Sequence, residues 1–404
     1  MDFILVKPIF LELGISNHGK EELGGKTIQG CLIFDNRHKV IQYPSLWLSK
    51  VTEVENLSYS TAETYARNMT YFLAFLDQEE DLKELTFDEK LLHVTKHKLI
   101  KWINSLKQKG LDKGTIRNRE TAIKAFYHFM SDGELLAKLI ERSPFPSKWL
   151  SSKPDQKTVV GASVNDLITL IQFSPYERER AMLQFMFDSG LRVSEVERVT
   201  FGDIKDAITF TRSLVGKRND DETFHPSYAP LKVQGSKGRE NSIKERITLV
   251  SRPTLERLAL YHSSPLYKKY QMKYSDKGEC PAFLNSDGNV LKKAAIQKLI
   301  QRLNKKAIKN KAQIQHLYPH KFRHGSALMT LQDENLGNDF LERLVNVKKT
   351  LGHVFISTSE RYTDMPHDVI DALNPENDQV KTTIEQMQRV YDETRLKIKL
   401  RDKK

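Results

Sequence analysis

The 404-residue sequence contains only two cysteines, Cys31 and Cys280, and they lie too far apart in the chain to form a paired metal-binding or redox motif. It has no run of about 18 apolar residues, the length that a membrane-spanning helix needs. The first residues, MDFILVKPIFLELG, lack the basic start and the uninterrupted apolar stretch of a signal peptide. These absences favour a reducing, cytoplasmic setting.

Motifs of several enzyme classes are missing as well. We find no G-x-S-x-G of serine hydrolases, no P-loop and no dinucleotide-binding glycine pattern. His316, His320 and His324 follow at four-residue intervals and would share a face of one continuous helix, as zinc ligands can. However, Pro319 is typical of a first helical turn, so the helix should begin near it and exclude His316. No H-E-x-x-H carboxylate accompanies them, and we predict no metal site.

The charge of the chain points to a polyanionic partner. Lysine and arginine number 64 against 52 acidic residues, which gives a formal net charge of +12. A basic surplus of this kind favours binding to nucleic acid or to an anionic membrane surface. With 39% hydrophobic residues the chain is an ordinary folded protein, and its length allows two or three domains.

The first part of the chain is predicted to be mainly helical after a small β element. The stretch KTIQGCLIFDNRHKVIQYPS (26–45) has short strand-like runs around a turn-prone DNR, which predicts a hairpin. Apolar residues at three- and four-residue spacing then predict three helices, the first with Ser60 or Thr61 as N-cap. Their sequences are STAETYARNMTYFLAFLDQ (60–78), KHKLIKWINSLKQKG (96–110) and TIRNRETAIKAFYHFM (115–130).

A linker and a second, mixed region follow. Residues 143–157, SPFPSKWLSSKPDQK, contain three prolines and four serines without apolar periodicity, which is typical of an interdomain linker. Further helices are predicted in NDLITLIQ (165–172), RERAMLQFMFDSG (178–190), LKKAAIQKLIQRLNKKA (291–307) and three later segments. Strands are predicted in AITFTRSLV (207–215), YAPLKVQ (228–234) and KERITLV (244–250). The fold class is therefore mainly α with a small antiparallel β-sheet.

Basic residues at fixed spacings around one tyrosine form the chemical pattern of the second region. Each has a simpler explanation when taken alone, as a surface, capping or packing residue. In combination they are Arg192 in SGLRVSE (189–195), His320 and Arg323 in HKFR (320–323), His353 in LGH (351–353) and Tyr362 in STSERYTDM. His320 and Arg323 are three residues apart, so on a helix they share a face.

These motifs, in this order, resemble the catalytic domain of the tyrosine recombinases, the phage integrase family. The family has a T-G-L-R-x-S-E-like box, an H-x-x-R box, an L-G-H and a nucleophilic tyrosine after a short polar segment. The resemblance is clear over about residues 160–370 and weaker over 55–145. It implies an N-terminal helical core-binding domain and an α+β catalytic domain that close on DNA as a C-shaped clamp.

The resemblance also implies a division of the chain into five parts. Residues 1–50 form an N-terminal extension, which is either a small β element or an arm-type DNA-binding module. Residues 51–147 form the helical, SAM-like core-binding domain, and residues 148–160 form the linker. Residues 161–370 form the catalytic domain, and residues 371–404 form a charged, helical tail. The tail is expected either to dock on a neighbouring protomer, as in the family, or to be a frayed, solvated helix.

The expected chemistry is a transesterification at a DNA phosphate. Tyr362 would attack phosphorus and hold the strand as a 3′-phosphotyrosine. Arg192 and Arg323 would clamp the non-bridging oxygens, because guanidinium groups bind two oxygens and stay charged. By resemblance His320 would assist proton transfer and His353 would hydrogen-bond the phosphate. The reaction needs no metal ion or cofactor.

The general acid for the departing 5′ oxygen is left with two candidates. The family uses a lysine on a β-hairpin turn, within G-K-G-x-K-E-R. Here the region is LKVQGSKGRENSIKERITLV, and Lys237 in GSKG matches best. Extra residues separate it from the KER, so Lys244 is a rival, and a solvated hairpin tip is the simpler alternative. His324 has no role in the motif, and Glu195 is expected to orient local structure.

The resemblance implies a site-specific recombinase that integrates or excises a mobile element in the cytoplasm of a bacterium, associated with the nucleoid. Its partners would be double-stranded DNA, three further copies in a tetramer on DNA (a monomer when free), and accessory DNA-bending or directionality proteins, with no membrane. Arg117, Arg119 and Lys124 on the third helix, and Lys244, are predicted phosphate contacts, with a solvated basic face as the alternative. Rival functions are a tyrosine-type topoisomerase, and an inactive DNA-binding protein of the same fold. The extra helical domain argues against the first, and the filled catalytic positions argue against the second.

Overall fold

The computed structural model describes residues 3–10, 27–53, 58–132, 138–155, 160–213, 216–218, 222–224, 226–237, 243–352 and 382–396. The chain divides into two compact units, an N-terminal unit of Met1–Lys157 and a C-terminal unit of Thr158–Lys237 with Ile243–Lys404. Within the described residues, no helix is both long enough and apolar enough to cross a membrane.

The N-terminal unit consists of a two-stranded sheet and a helical bundle. Strands β1 (Phe3–Phe10) and β2 (Thr27–Ile33) pair antiparallel. The helices are α1 (Gln42–Glu53), α2 (Tyr59–Leu76), α3 (Phe87–Leu92), α4 (Lys96–Gln108) and α5 (Lys113–Asp132). Buried aromatic rings join the helices: Trp47 meets Phe126 at 5.5 Å, and Phe72 meets Trp102 at 4.8 Å, between ring centroids.

The predicted hairpin at 26–45 is half right. Its turn exists, since the Asp35 amide donates to the Lys39 carbonyl. Its second strand is wrong, because α1 occupies that part of the chain. The Asp88 carboxylate accepts hydrogen bonds from the amides of Gln42 and Tyr43, both at 2.9 Å, and so caps the start of α1. A cap supplied from 45 residues away leaves no local signal in the sequence.

The three helices predicted for the first part of the chain are confirmed as α2, α4 and α5, although the N-cap of α2 was misplaced. It is Ser58, whose hydroxyl accepts from the Thr61 amide, and neither Ser60 nor Thr61. Gly110 follows α4 with a φ of +70°, as expected of a helix-ending glycine.

The stretch that the sequence marks as a linker is packed against α5 in part. The buried carboxylate of Glu120 accepts hydrogen bonds from the amides of Leu150 at 2.6 Å and Ser151 at 2.9 Å. The ring of Trp149 lies under the guanidinium of Arg117 at 4.4 Å. Proline and serine content alone therefore did not reveal that this segment is held by side chains of a preceding helix.

The C-terminal unit is helical around small antiparallel sheets. Strands β3 (Gly216–Arg218) and β4 (Glu222–Phe224) form one sheet, and β5 (Tyr228–Lys237) and β6 (Ile243–Ser251) form another. The helices are α6 (Val164–Gln172), α7 (Glu177–Ser189), α8 (Val193–Val196), α9 (Phe201–Ser213), α10 (Arg252–Ser263), α11 (Pro265–Gln271), α12 (Lys293–Lys309), α13 (Pro319–Gln332), α14 (Phe340–Leu351) and α15 (Thr383–Thr394). The predicted fold class, mainly helical with a small antiparallel sheet, is confirmed.

One strand prediction in this unit is wrong, since residues 207–215 belong to α9 as far as the structure describes them. Thr200 and Asp203 form a reciprocal cap at its start: the Thr200 amide donates to Asp203 at 2.9 Å, and the Asp203 amide donates to the Thr200 hydroxyl at 3.2 Å. Ile204 and Ala207 are buried one turn apart. The cap and the burial outweigh the strand propensity of the β-branched residues that follow.

The described part of the C-terminal tail, α15, differs from a frayed, solvated helix. It packs against α6, α7 and α10 of its own chain. Met387 and Val390 are fully buried in that contact. Docking on a neighbouring protomer stays a prediction.

Candidate active site

The first motif lies in a tight turn between α7 and α8. Gly190 ends α7 in the left-handed region, with a φ of +61°. A Cβ atom at this position would lie 2.7 Å from Leu351 and 2.9 Å from the Ser326 hydroxyl. Glycine is therefore needed both for the backbone angle and for the close approach of α13 and α14. Arg192 follows at the start of α8 and is partly exposed.

The second motif lies on α13, which begins at Pro319 and leaves His316 outside, as predicted. Arg323 on this helix is 2% exposed. Its guanidinium donates to the carbonyl of Gly190 at 2.7 Å and to the carbonyl of Leu351. Arg323 thus ties together the SGLR turn, the HKFR helix and the start of the LGH motif, which are far apart in sequence.

Glu195 fixes the position of Arg192 by two hydrogen bonds. Its fully buried carboxylate accepts from the Arg192 amide at 2.8 Å and from the Arg192 guanidinium at 3.0 Å. A third hydrogen bond, 2.7 Å long, comes from the guanidinium of Arg246 on β6. Burial alone would raise the pKa of Glu195, but the hydrogen bond and charge of Arg246, followed by those of Arg192, hold that pKa below its usual value. The group is ionised at neutral pH.

The two histidines of α13 lie side by side, with 4.5 Å between the ring centroids of His320 and His324. Burial, and then the charges of Arg323 and Arg192, lower the pKa of His320. Burial, and then the charges of His320 and Arg323, lower the pKa of His324 to about 4. Both rings are neutral at pH 7, and His320 can accept a proton there. Among the described residues, no group of three or more His, Cys, Asp or Glu side chains is arranged to hold a metal ion.

The two candidate lysines lie on either side of the β5–β6 hairpin tip, where the backbone alone is described. Lys237 ends β5 and pairs with Ile243, after an irregularity in the strand register between Gln234 and Lys237. Lys244 is the second residue of β6. The predicted residues His353 and Tyr362 lie outside the described residues.

The predicted phosphate contacts of α5 belong to the N-terminal unit, where each cation stacks on an aromatic ring. Arg119 lies 3.9 Å from the Tyr71 ring centre, and Arg117 and Lys124 lie 4.4 and 4.6 Å from that of Trp149. Arg117 also donates to the backbone carbonyl of Ser151 at 2.8 Å. Both rings are partly exposed, and contact with phosphate stays a prediction.

Sequence reasoning missed two residues behind the motifs. Arg246, the arginine of the KER, was given no role of its own. In the structure it shares a strand face with Thr248, which donates to the Ser189 carbonyl at 2.8 Å, so this face of β6 is directed toward the first motif. Asp188 is buried and accepts from the amide and hydroxyl of Ser251 at 2.9 and 2.7 Å. No sequence pattern signals Asp188, because its partner comes from the end of β6.

Comparisons with known proteins assign the chain to a family. Residues 161–367 match the model of the phage integrase family, and residues 45–132 match that of its N-terminal SAM-like domain. The tyrosine recombinase XerD of Halalkalibacterium halodurans is 25% identical over 76% of this chain and 87% of its own. The tyrosine recombinase XerC of Actinobacillus pleuropneumoniae is 27% identical over 68% of this chain and 78% of its own.

Solved structures share the fold. The Tn1549 transposon integrase in complex with transposon right end DNA aligns over 82% of this chain and 97% of its own, with a TM-score of 0.55 and 17% identity. XerH recombinase in a post-cleavage complex with difH DNA aligns over 82% and 84%, with a TM-score of 0.53 and 16% identity. With the catalytic-domain match alone spanning more than half of its residues, this chain belongs to the phage integrase family.

Proposed function

We propose that this protein is a tyrosine site-specific recombinase, which cuts and rejoins DNA strands through a covalent 3′-phosphotyrosine. The observation that carries this proposal is the meeting of three motifs at Arg323. Its buried guanidinium bonds the turn before Arg192 and the carbonyl of Leu351, two residues before His353. A phosphate bound beside Arg192 and Arg323 would be stabilised by two guanidinium groups, one from the first motif and one from the second.

In the proposed cleavage step the phenolic oxygen of Tyr362 bonds to phosphorus and the bond to the 5′ oxygen breaks. Arg192 and Arg323 stabilise the negative charge that grows on the non-bridging oxygens. His320, neutral at pH 7, assists proton transfer by accepting the proton that the Tyr362 phenol loses, and His353 donates to a phosphate oxygen. The reverse step, attack by a 5′ hydroxyl on the phosphotyrosine, joins the strand without an external energy source.

A lysine is proposed to protonate the departing 5′ oxygen, with Lys237 preferred over Lys244. A DNA substrate with sulfur in place of that oxygen tests the choice, since a thiolate leaves without a proton. Alanine at the general acid should slow cleavage of the normal substrate and leave cleavage of the sulfur substrate near the wild-type rate. Alanine at the other lysine should affect the two substrates equally.

We further propose that four copies join two duplex DNA sites and exchange strands sequentially through a Holliday junction. This activity would serve to integrate or excise a mobile element in a bacterial cytoplasm, with accessory proteins setting direction. The net charge of +12 supports a DNA partner. Phosphate contacts in the N-terminal unit would come from Arg117, Arg119 and Lys124, and in the C-terminal unit from Lys244.

A plasmid assay separates this function from that of a topoisomerase. The substrates are two supercoiled plasmids, one with two directly repeated copies of the DNA that flanks the gene's own element, and one without. A recombinase should convert the first plasmid into two smaller circles and leave the second supercoiled. Relaxation of both plasmids at equal rates, without smaller circles, would support the topoisomerase instead.

A further inference from the structure

The buried arginine of β6 has no place in the reaction as proposed so far, yet it contacts two of the motifs. We infer that Arg246 is a positioning residue of the recombinase, which keeps the charge of Arg192 available to the phosphate by neutralising Glu195 and which braces the end of α14. This inference rests on the proposed function and assigns a role to the arginine of the KER, to which the sequence analysis gave none.

The first contact is electrostatic. Arg246 lies 2.7 Å from one oxygen of Glu195, and Arg192 lies 3.0 Å from the other. Glu195 is fully buried, and 10% of the Arg246 side chain is exposed. Two cations on one carboxylate leave one net positive charge in the group. Without Arg246, Glu195 would cancel the charge of Arg192, and the site would lose electrostatic stabilisation of the transition state.

The second contact is with the carboxyl end of α14. The guanidinium of Arg246 donates to the Thr350 carbonyl. A Cβ atom at Gly352 would lie 2.7 Å from Cδ of Arg246, so the side chain packs directly on the glycine. Gly352 ends α14 with a φ of +66° and immediately precedes His353. Arg246 therefore joins the lysine hairpin, the Arg192 turn and the chain that leads to His353.

The test compares Arg246→Gln and Arg246→Lys with Arg252→Gln in the full-length protein. Arg252 is an exposed arginine with its own partner, Glu256 at 3.3 Å, and serves as the matched control. The readouts are the single-turnover rate of covalent adduct formation on a nicked target duplex and, separately, the Kd for that duplex. We expect Arg246→Gln to slow cleavage about 10- to 100-fold, as removal of a supporting group does, with Kd within about threefold of wild type. Arg246→Lys should lose less, and Arg252→Gln should cleave normally.

A substrate with a methylphosphonate at the cleavage site distinguishes a role of Arg246 in positioning Arg192 from a general structural role in the fold. Its phosphorus carries no negative charge, so it depends less on Arg192. If Arg246 acts through Arg192, the loss of cleavage rate caused by Arg246→Gln and the loss caused by Arg192→Gln should both be smaller on this substrate than on the normal one. Adding Arg246→Gln to Arg192→Gln should then cost no more than about threefold further, since residues that act as a unit are not additive.

Two results would overturn the inference. One is cleavage by Arg246→Gln within about threefold of wild type on the normal substrate. The other is a defect of the same size on both substrates, which would make Arg246 a merely structural residue. If Arg246→Gln does not fold, Arg246→Lys is measured on the same pair of substrates. Failure of the proposed function is a different outcome, namely the absence of adduct with the wild-type protein.

Discussion

At the scale of single residues, burial sets the ionisation of groups beside the motifs. Asp188, on the last turn of α7, is buried, and burial raises its pKa to about 6 although hydrogen bonds from Ser251 and Thr254 act in the other direction. The same cause works oppositely on His320, a base, whose pKa is lowered. Near neutral pH the site therefore combines a buried, ionised Asp188 with an uncharged His320.

Asp188 should make stability depend on pH. Because its folded pKa of about 6 lies above the ordinary value near 3.8, Asp188 binds more protons in the folded protein between these values, and its own contribution to the free energy of unfolding falls as pH rises through this window, opposite in sign to the contribution of His324. The loss should approach about 3 kcal/mol. Asp188→Asn should remove this contribution, so that its stability rises more steeply with pH than that of the wild type, and Asp206→Asn, at an exposed position, should keep the wild-type slope. Melting curves from pH 4 to 7 measure the slopes, and equal slopes in Asp188→Asn and wild type would refute this.

His320 should set the acid limit of cleavage. Since burial and the charges of Arg323 and Arg192 lower its pKa, the ring stays neutral to a lower pH than an ordinary histidine does, and the midpoint of the decline in cleavage rate should lie below the ordinary histidine pKa of about 6.5. We expect His320→Asn to be slow and to lack this acid limb, while His97→Gln, at an exposed position, keeps the wild-type profile. A rate profile whose acid limb has a midpoint at or above 6.5 in the wild-type protein would contradict the assignment.

At the scale of elements, the C-terminal helix α15 is held at both ends by buried polar groups. Asp333 accepts from the Thr383 amide at its start, at 2.8 Å. Arg257, fully buried, donates to the Thr394 hydroxyl at its end, at 2.7 Å, and pairs with Glu177 at 2.6 Å. These contacts explain why a segment with a charged, solvated appearance in sequence packs on its own unit.

Arg257→Met should destabilise the C-terminal unit selectively. Removing one partner from a fully buried ion pair costs about 3–5 kcal/mol, and because the Glu177 side chain is 22% exposed we expect a cost at or below the lower end of that range. Arg252→Met, at an exposed pair, should stay within about 0.5 kcal/mol of wild type. All three tryptophans, Trp47, Trp102 and Trp149, lie in the N-terminal unit. Urea unfolding followed by tryptophan fluorescence should therefore be unchanged, while the transition seen by circular dichroism shifts to lower urea. A shift in fluorescence alone would contradict this prediction.

Helices with strong apolar spacing were predictable, and elements that depend on distant partners were not. The spacing in 96–110 and 115–130 identified α4 and α5 correctly. In contrast, α1 was missed, because the Asp88 carboxylate that caps its start lies 45 residues away in the sequence. A local pattern measures propensity, and tertiary contacts decide the outcome where propensity is weak.

At the scale of the whole molecule, the positive charge should appear as a salt dependence of DNA binding. Arg119 stacks on Tyr71 on the basic face of α5. Burial lowers the pKa of Arg119, but the ordinary pKa of arginine is so high that the guanidinium stays charged at neutral pH. Arg119→Ala should weaken binding to all DNA sequences and reduce the slope of log K against log salt by about 1, which corresponds to one phosphate contact. Lys83→Ala, at an exposed position of the same unit, is the control. An unchanged slope in Arg119→Ala would place this residue away from DNA.

The order of the motifs along the chain predicted the family and the fold, but not the residues that support the site. Arg192 and Arg323 are recognisable because the motif letters around them are specific. Arg246 on β6 acts through Glu195 on α8, and Asp188 at the end of α7 bonds Ser251 at the end of β6. Such contacts arise only when the chain is folded. The general acid, Lys237 or Lys244, stays a prediction for the same reason.

The most direct test of the account is covalent capture of DNA by Tyr362. Wild-type protein and Tyr362→Phe are mixed with a nicked duplex that carries the true target site, and the products are denatured, digested and analysed by mass spectrometry. The account predicts a wild-type adduct in which a peptide containing Tyr362 is joined to a 3′ phosphate, a free 5′ hydroxyl on the released strand, and no adduct with Tyr362→Phe. An adduct that persists in Tyr362→Phe, or a wild-type protein that binds its site without forming one, would contradict it.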